Sequence, residues 1–397
     1  MNAMGFAWRS LVRQPARASL GVLGVAAVGA LLFDMLLLSQ GLVISMRGLL
    51  ESTGFDLRVT ATDSLPGQGP LIPHAVAHAE AMSRLPSVRS AIALRFANAV
   101  VLTGGPRGLY TSFQGVAGTA AHPWTILRGR DIGSSGAEMV INENTARLAH
   151  LEPGARVMLK ASCAAKEQAL PPVPFTVAGV AQFPFDSPSG TTLATSLDTL
   201  ASACGGNDSD EADVIMAASQ EAMGTAAAVA DVATLLPDLR VLSNAETVNR
   251  FERGGFTYFR QISTVLTTVT VSFAVLLITV LLTVSVNQRL GEIAALRALG
   301  FSRWRVVTDV LCESVLIVGG GGLLSLPLGA LLAAGLDRIL KRIPGIPADV
   351  HFFVYQSSAL EVHLLLLAAT AVIAALYPIR IVARLPIAAT LRNEVVG

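Results

Sequence analysis

Few residues in this sequence have the type and spacing to carry chemistry, and those few point away from catalysis. His74 and His78 stand one helical turn apart and could share a metal on a helix face. No third ligand accompanies them, so a solvated face is the plainer reading and no metal is expected. No Gly-x-Ser-x-Gly elbow, Cys/His cluster or His-Glu-x-x-His occurs, which removes the common acyl-transfer and metallohydrolase sites. A phosphate loop needs Gly-Lys-Ser/Thr, and none of the three lysines, Lys160, Lys166 and Lys341, follows a glycine. The sequence is therefore expected to be no enzyme and to hold no cofactor.

A carboxylate in an apolar setting is the next oddity. Asp34 interrupts the run Leu20–Ile44, broken otherwise only by Ser39 and Gln40. Ionisable groups at such depth are costly in lipid. Packing against a neighbouring helix, with Ser39, Gln40 or a backbone group as partner, is the leading reading of Asp34; coupling and proton or ion handling are the others.

The elements that would hold these residues follow from composition. The 397 residues are 52% hydrophobic and 14% charged, against about 25% charged in a soluble domain. The excess gathers in four runs, each near the length of about 20 residues that spans a bilayer. The first is Leu20–Ile44, too long for a cleaved signal peptide. Ile262–Val286 carries no charge, and Leu311–Leu336 has Glu313 near its start. Leu364–Tyr377 is the shortest, extended upstream to Leu360 with Glu361 and His363 at the interface.

Flanking arginines set the orientation. Arg9, Arg13 and Arg17 precede the first run. Arg289, Arg297, Arg303 and Arg305 follow the second, and Arg380, Arg384 and Arg392 follow the fourth. Both termini and the 287–306 loop are expected to be cytoplasmic. The resulting division is a cytoplasmic segment 1–19, helix 20–45, an extracytoplasmic domain 46–258 and helix 259–287. A cytoplasmic loop 288–305, helix 306–336, an outer loop 337–359, helix 360–378 and a cytoplasmic tail 379–397 complete it. The net charge of +1 gives no case for nucleic acid.

Within 46–258 short strands alternate with helices. Strands are expected over Phe55–Thr60, Ile92–Leu102, Arg156–Lys160, Phe175–Phe183, Val214–Ala217 and Leu239–Leu242. Helices are expected over Pro73–Leu85, Asn142–His150, Asp198–Cys204 and Ala222–Leu235. The pattern is α+β, in one lobe or two. Cys163 and Cys204 both fall here, where an oxidising compartment would let a disulfide persist; spacing leaves the bridge open. Cys312 reads as a small apolar residue. In the third run, Gly319–Gly322 with Pro327 beyond suits close approach of another helix. Gly21, Gly24, Ala27 and Gly29 or Ala30 give the first helix a small face on which a second copy could pack.

The most informative segment is Asn287–Arg303, helix-forming up to Gly300. Gly291, Ala294, Ala295 and Ala298 make one small-residue face, while Arg289, Glu292, Ile293, Leu296 and Leu299 project elsewhere. Such a helix can lie flat and offer its large side to a partner, or be a plain surface connector.

The pattern Arg289-x-x-Glu292-Ile293-x-x-Leu296-Arg297-Ala298-Leu299-Gly300 resembles the cytoplasmic signature of FtsX-like and MacB-type ABC permeases. Trp8–Arg17 leading into Leu20–Val25, and Tyr377–Pro386 leading to Ala388–Arg392, match in order, as does the 1 + 3 helix layout around a large domain. The resemblance implies a permease subunit that couples ATP hydrolysis by a separate ATPase to motion of its outer domain. Export or extraction of an amphiphile (lipid, lipoprotein, peptide or drug) would be the outcome. An FtsX-like transmitter regulating a cell-wall hydrolase is the alternative. It further implies that Arg289, Glu292, Ile293, Leu296, Arg297, Leu299 and Gly300 dock on the ATPase, which binds ATP and Mg. Its implied partners are that cognate ATPase, a second permease copy (identical or related), a periplasmic adaptor and membrane lipid, at the bacterial inner membrane. MacB carries its ATPase fused ahead of the first helix. Here that helix starts about twenty residues in, so the ATPase is expected on another polypeptide.

Overall fold

The computed structural model describes residues 3–13, 15–64, 67, 69–103, 108–118, 122–133, 136–163, 170–206, 210–254, 257–288, 290–291, 302–343, 347 and 350–383. Each apolar run lies on one continuous helix, as lipid demands, because only internal hydrogen bonding satisfies a backbone there. A short helix, α1 (Ala3–Arg13), precedes α2 (Pro15–Ser52), whose Pro15 suits a first turn that needs no N–H. Beyond the α+β domain come α8 (Thr257–Asn287), α9 (Arg303–Leu340) and α10 (Ser357–Ala383). Stretches of 35, 27, 30 and 25 residues within α2, α8, α9 and α10 are long and apolar enough to cross a membrane. The first continues past the apolar run to Ser52, taking in Arg47 and Glu51. The fourth starts at Ser357, seven residues before the uncharged run.

The chain divides into two compact units, one holding the four long helices and the other built on Val43–Gly254. In the helical unit Val25, Ile278, Leu282, Ile317, Val318 and Leu367 form a shared core with Ala371, Ala374 and Ala375. Small residues let the backbones close. A Cβ on Gly321 would lie 2.6 Å from the Cβ of Val25, and one on Gly29 would lie 2.8 Å from the Cβ of Ser325. Gly319, two residues from Gly321, faces open space. The glycine run is thus a packing device at some positions only.

The second unit is built on one ten-stranded sheet in the order β10-β1-β9-β2-β3-β8-β5-β7-β4, with β6 bridging β2 and β7. Its strands are β1 (Leu57–Thr60), β2 (Val88–Leu102), β3 (Leu109–Gly118), β4 (Thr125–Gly129) and β5 (Glu138–Asn142). They continue with β6 (Arg156–Ser162), β7 (Val173–Gln182), β8 (Thr192–Ser196), β9 (Val214–Ser219) and β10 (Arg240–Ser243). Its helices are α3 (Ala75–Ser83), α4 (Glu143–Ala149), α5 (Leu197–Ala203), α6 (Gly224–Leu235) and α7 (Asn244–Gly254).

The long strand β2 makes both lobes possible. Its first half, Val88–Leu94, pairs β9, and its second half, Asn98–Leu102, pairs β6. The pairings β2–β3, β3–β8, β8–β5, β5–β7, β7–β6 and β6–β2 close a ring. Inside it lie Ala99, Phe113, Met139, Leu159, Phe175 and Leu193, with Phe113 and Phe175 edge to face at 5.8 Å between ring centres. Strand β6 alternates exposed and buried without a break, the period-2 signature of a strand with one wet face. The remaining strands carry α3 and α6 over a second core of Leu57, Val59, Met82, Ile215 and Val232. Two lobes therefore share one strand.

Local sequence explains the helix starts. Asn142 and Ser196 each cap the following helix, accepting from the backbone N–H of Thr145 at 2.9 Å and of Thr199 at 3.3 Å. His74 instead precedes α3 in a left-handed conformation, φ 54°, and its Nδ1 is 3.5 Å from Asp210. The expected helix from Pro73 starts two residues later, and His74 does not share a helix face with His78.

Candidate functional site

Of the docking-loop residues, Arg289, Glu292, Ile293, Leu296, Arg297, Leu299 and Gly300 lie outside the described residues. Their flanks do not: α8 ends at Asn287 and α9 begins at Arg303. These ends are tied, because Ser285 donates to the buried carboxylate of Glu313 at 2.8 Å. The joint holds the two helices together on either side of the loop.

Asp34 is 1% exposed, and neither carboxylate oxygen has a hydrogen-bond partner among the described residues. The side chains of Ser39 and Gln40, expected as partners, lie outside the description. His363, expected near the membrane interface, is buried among the helices. Its ring lies 5.3 Å from that of Phe33, and its Nε2 is 3.0 Å from Ser325 Oγ. Ser325 Oγ also donates to the carbonyl of Gly322 at 2.7 Å. With that single proton spent, Ser325 accepts from His363 Nε2–H, leaving Nδ1 as a bare acceptor. His363 thus clasps α2, α9 and α10.

The small face of the first helix is largely used within the chain. Gly21 packs against Ile317 and Leu281, Gly24 against Leu277, and Gly29 against Ser325, while Ala30 is buried. Only Ala27 of that set is exposed. The expected self-association surface therefore does not stand on these residues, because neighbouring helices of the same chain already occupy them.

In the α+β domain Cys163 and Cys204 are joined by a disulfide with a Cα–Cα distance of 5.8 Å. Arg58 is buried on β1, and its guanidinium donates to Asn244 at the start of α7, while Nη2 has no partner among the described residues. Burial pushes its pKa down to about 10, with Asp56 opposing. Asp56 itself accepts from Ser219 N at 2.7 Å and from Thr225 Oγ1 at 2.5 Å.

An open groove of about 950 Å³ lies between α4 and the loop that follows β7. Asp186 lines it, accepting from Asn142 Nδ2 at 2.8 Å and from Thr192 Oγ1 at 2.5 Å. Burial pushes the Asp186 carboxyl up, and these two hydrogen bonds pull it back. Asn142 and Asn144 both donate to the carbonyl of Gly190, at 2.8 and 3.0 Å, which pins the loop. Nothing in the Pro-rich segment 184–188 marks it as a site by sequence alone.

Four helices long and apolar enough to cross a membrane, in a 1 + 3 arrangement around a large α+β domain, define a multi-pass membrane protein. The model of the MacB-like periplasmic core domain matches residues 19–235, more than half of the chain, and that of the FtsX-like permease C-terminal region matches 264–387. The chain belongs to the MacB/FtsX-like family of ABC transporter permeases. Among solved structures it is similar to the periplasmic region of MacB from Actinobacillus actinomycetemcomitans. There the identity is 14%, the coverage 51% of this chain and 95% of that one, and the TM-score 0.37. The extracellular domain of the ABC-type transporter YknZ from Gram-positive bacteria is a second, at 12% identity, 48% and 99% coverage and a TM-score of 0.33. None of the curated proteins matches.

Proposed function

We propose that this chain is the membrane subunit of an ATP-driven machine at the bacterial inner membrane, with both termini cytoplasmic. A partner ATPase binds ATP and Mg and docks on the 289–300 segment. A second permease copy completes the membrane part, and a periplasmic adaptor is a further partner. The work is export or extraction of an amphiphilic substrate by movement of the α+β domain.

The observation that carries this reading is the covalent path. Helix α2 runs unbroken to Ser52 and passes within five residues into β1, which pairs along its whole length with β10. Strand β10 is followed in the chain by α7 and then α8. The chain thus enters and leaves the α+β domain through two neighbouring, hydrogen-bonded strands.

The test lies at the docking segment. Ile293→Ala with Leu296→Ala removes two large apolar anchors, and hot-spot anchors cost 2 kcal/mol or more when truncated. The double variant is expected to lose co-purification of the ATPase or to uncouple hydrolysis from transport, with the α+β domain still folded. Unchanged recruitment and unchanged hydrolysis would leave the segment a surface connector.

A further inference from the structure

Helix α1 arranges its residue types in stripes. Trp8, Leu11 and Val12 recur at the spacing of one helical face, and Arg9 and Arg13, one turn apart, form the next. Leu11 packs onto the core shared by the long helices, a core that also takes in Leu311 of α9 and Ile379 of α10. That contact fixes α1 at one end of the helical unit. Its two apolar neighbours stay outside: Trp8 is 61% exposed and Val12 60%. Arg9 and Arg13 are exposed as well. No acidic residue precedes Asp34 in the sequence, so the charge of this stripe has no local answer.

The position of this helix decides what can cover it. Helix α2 is continuous from Pro15, and its apolar span begins at Ala18. Three residues of helix rise about 4.5 Å, and a headgroup layer is about 5–8 Å deep. Helix α1 therefore ends within the headgroup layer. The same end of the unit exposes Trp304 at the start of α9 and Tyr377 near the end of α10. Tryptophan and tyrosine gather where acyl chains give way to headgroups. An exposed indole and valine beside two arginines suit that boundary twice over, with apolar surface for acyl chains and guanidinium forks for phosphate. A soluble protein would have to displace the headgroup layer to reach Trp8.

We infer that α1 is a binding surface for anionic phospholipid, with Trp8 and Val12 at the acyl boundary and Arg9 and Arg13 on headgroup phosphates. A zwitterionic lipid presents the same phosphate beside its own positive charge, whereas an anionic headgroup leaves the phosphate uncompensated. Basic side chains with no acid among them gain most from the second kind. The surface stands apart from the 289–300 segment and holds whether or not an ATPase docks there.

The test uses the full chain, without ATPase, in nanodiscs of phosphatidylcholine alone or mixed with phosphatidylglycerol. A nitroxide on Val12→Cys, in a Cys312→Ala background, is relaxed by oxygen, which concentrates in lipid, or by a water-soluble nickel chelate. Cys163 and Cys204 are bridged and take no label. The expected result is a nitroxide open to oxygen and shielded from nickel, more so in the anionic discs. Each arginine near such a surface is worth about fivefold in partition, so Arg9→Gln with Arg13→Gln should lower the ratio of lipid-facing to water-facing nitroxide there by about tenfold or more. The proposal is overturned if position 12 is open to nickel in both discs, as on a helix that waits for a soluble partner. It is equally overturned if the two lipids read alike in the parent chain, or if the double substitution leaves the anionic preference intact. Should the doubly substituted chain misfold, the comparison of the two lipids in the parent chain decides alone.

Discussion

Arg58 and Asn244 join the strand that follows the first membrane helix to the helix that precedes the second, side chain to side chain. Asn244 adds two more links to the same segment, from its Nδ2 to the carbonyl of Phe55 at 3.1 Å and from its backbone N to that of Asp56 at 2.9 Å. The pair Leu57 and Ser243 is the end of the β1–β10 ladder nearest in sequence to α2 and α7.

Asn244→Ala should therefore cost more than its size suggests. It strips the acceptor from a guanidinium that is only 8% exposed. Leaving a buried charged group unsatisfied costs about 1–3 kcal/mol or more. Arg58→Met, which removes the charge and keeps the bulk, should cost less. Urea unfolding followed by tryptophan fluorescence compares them. Equal losses in the two variants would show that the clasp contributes by packing alone.

Acid should weaken the α+β domain through Glu138. Hydrogen bonds from Arg130 and from the backbone of Gly133 hold its pKa down to about 2, against an ordinary 4.5. A depressed carboxylate contributes stability that is complete above the unfolded value and is lost as pH falls through the folded one. The window is thus pH 4.5 down to about 2. Arg130→Gln removes the largest cause, so its unfolding midpoint should lie below wild type at neutral pH and converge on it as pH falls through that window. The pair is exposed and screened by salt, so the gap should also narrow at high ionic strength. Parallel curves at every pH would assign the stabilisation to something else.

The sequence was legible where physics is local. Apolar length located all four membrane helices, and period-2 or period-3.6 patterns found most strands and helices of the α+β domain. What it hid depends on pairing between distant segments. The expected strand Ile92–Leu102 starts four residues late, and nothing in it announces that one half of β2 pairs β9 and the other β6, because those partners lie far away in sequence. The contacts of His363 with Phe33 and Ser325 depend on three helices meeting, which no local pattern announces. Gly21 and Gly29 read as a surface for a second chain, and three-dimensional packing gave them to neighbours in the same chain. Asp186 acquired its groove from Asn142 and Thr192, the first 44 residues away.

The disulfide gives a count that labelling can check. Cys163 and Cys204 are 41 residues apart, and Cys312 is the free thiol. Denatured, unreduced protein should take one maleimide-polyethylene glycol per chain, and reduced protein three. Closing a loop of that length contributes about 3–4 kcal/mol in the chain-entropy description, so Cys163→Ser with Cys204→Ser should lower the unfolding free energy by about 2–4 kcal/mol. Three labels without reduction would mean the bridge does not form in cells.

The glycine run of the third membrane helix offers a matched comparison inside four residues. A methyl added at Gly321 meets the Cβ of Val25 at 2.6 Å and the carbonyl of Val22 at 2.9 Å, so backbone must move. A methyl at Gly322 meets only the tip of Leu367, at 2.8 Å, and a flexible side chain can yield. At Gly319 it meets nothing within 4 Å. Overpacking costs about 1–3 kcal/mol, whereas replacing glycine by alanine in a helix interior gains up to about 1 kcal/mol when space is free. Gly321→Ala should destabilise the helical unit, Gly322→Ala should sit near neutral, and Gly319→Ala should be neutral or stabilising. Thermal aggregation of the three purified variants in one detergent ranks them. If Gly319→Ala were the most harmful, its open face would have to be covered by another chain, and the close approach of α2 and α9 at Val25 would lose its energetic meaning.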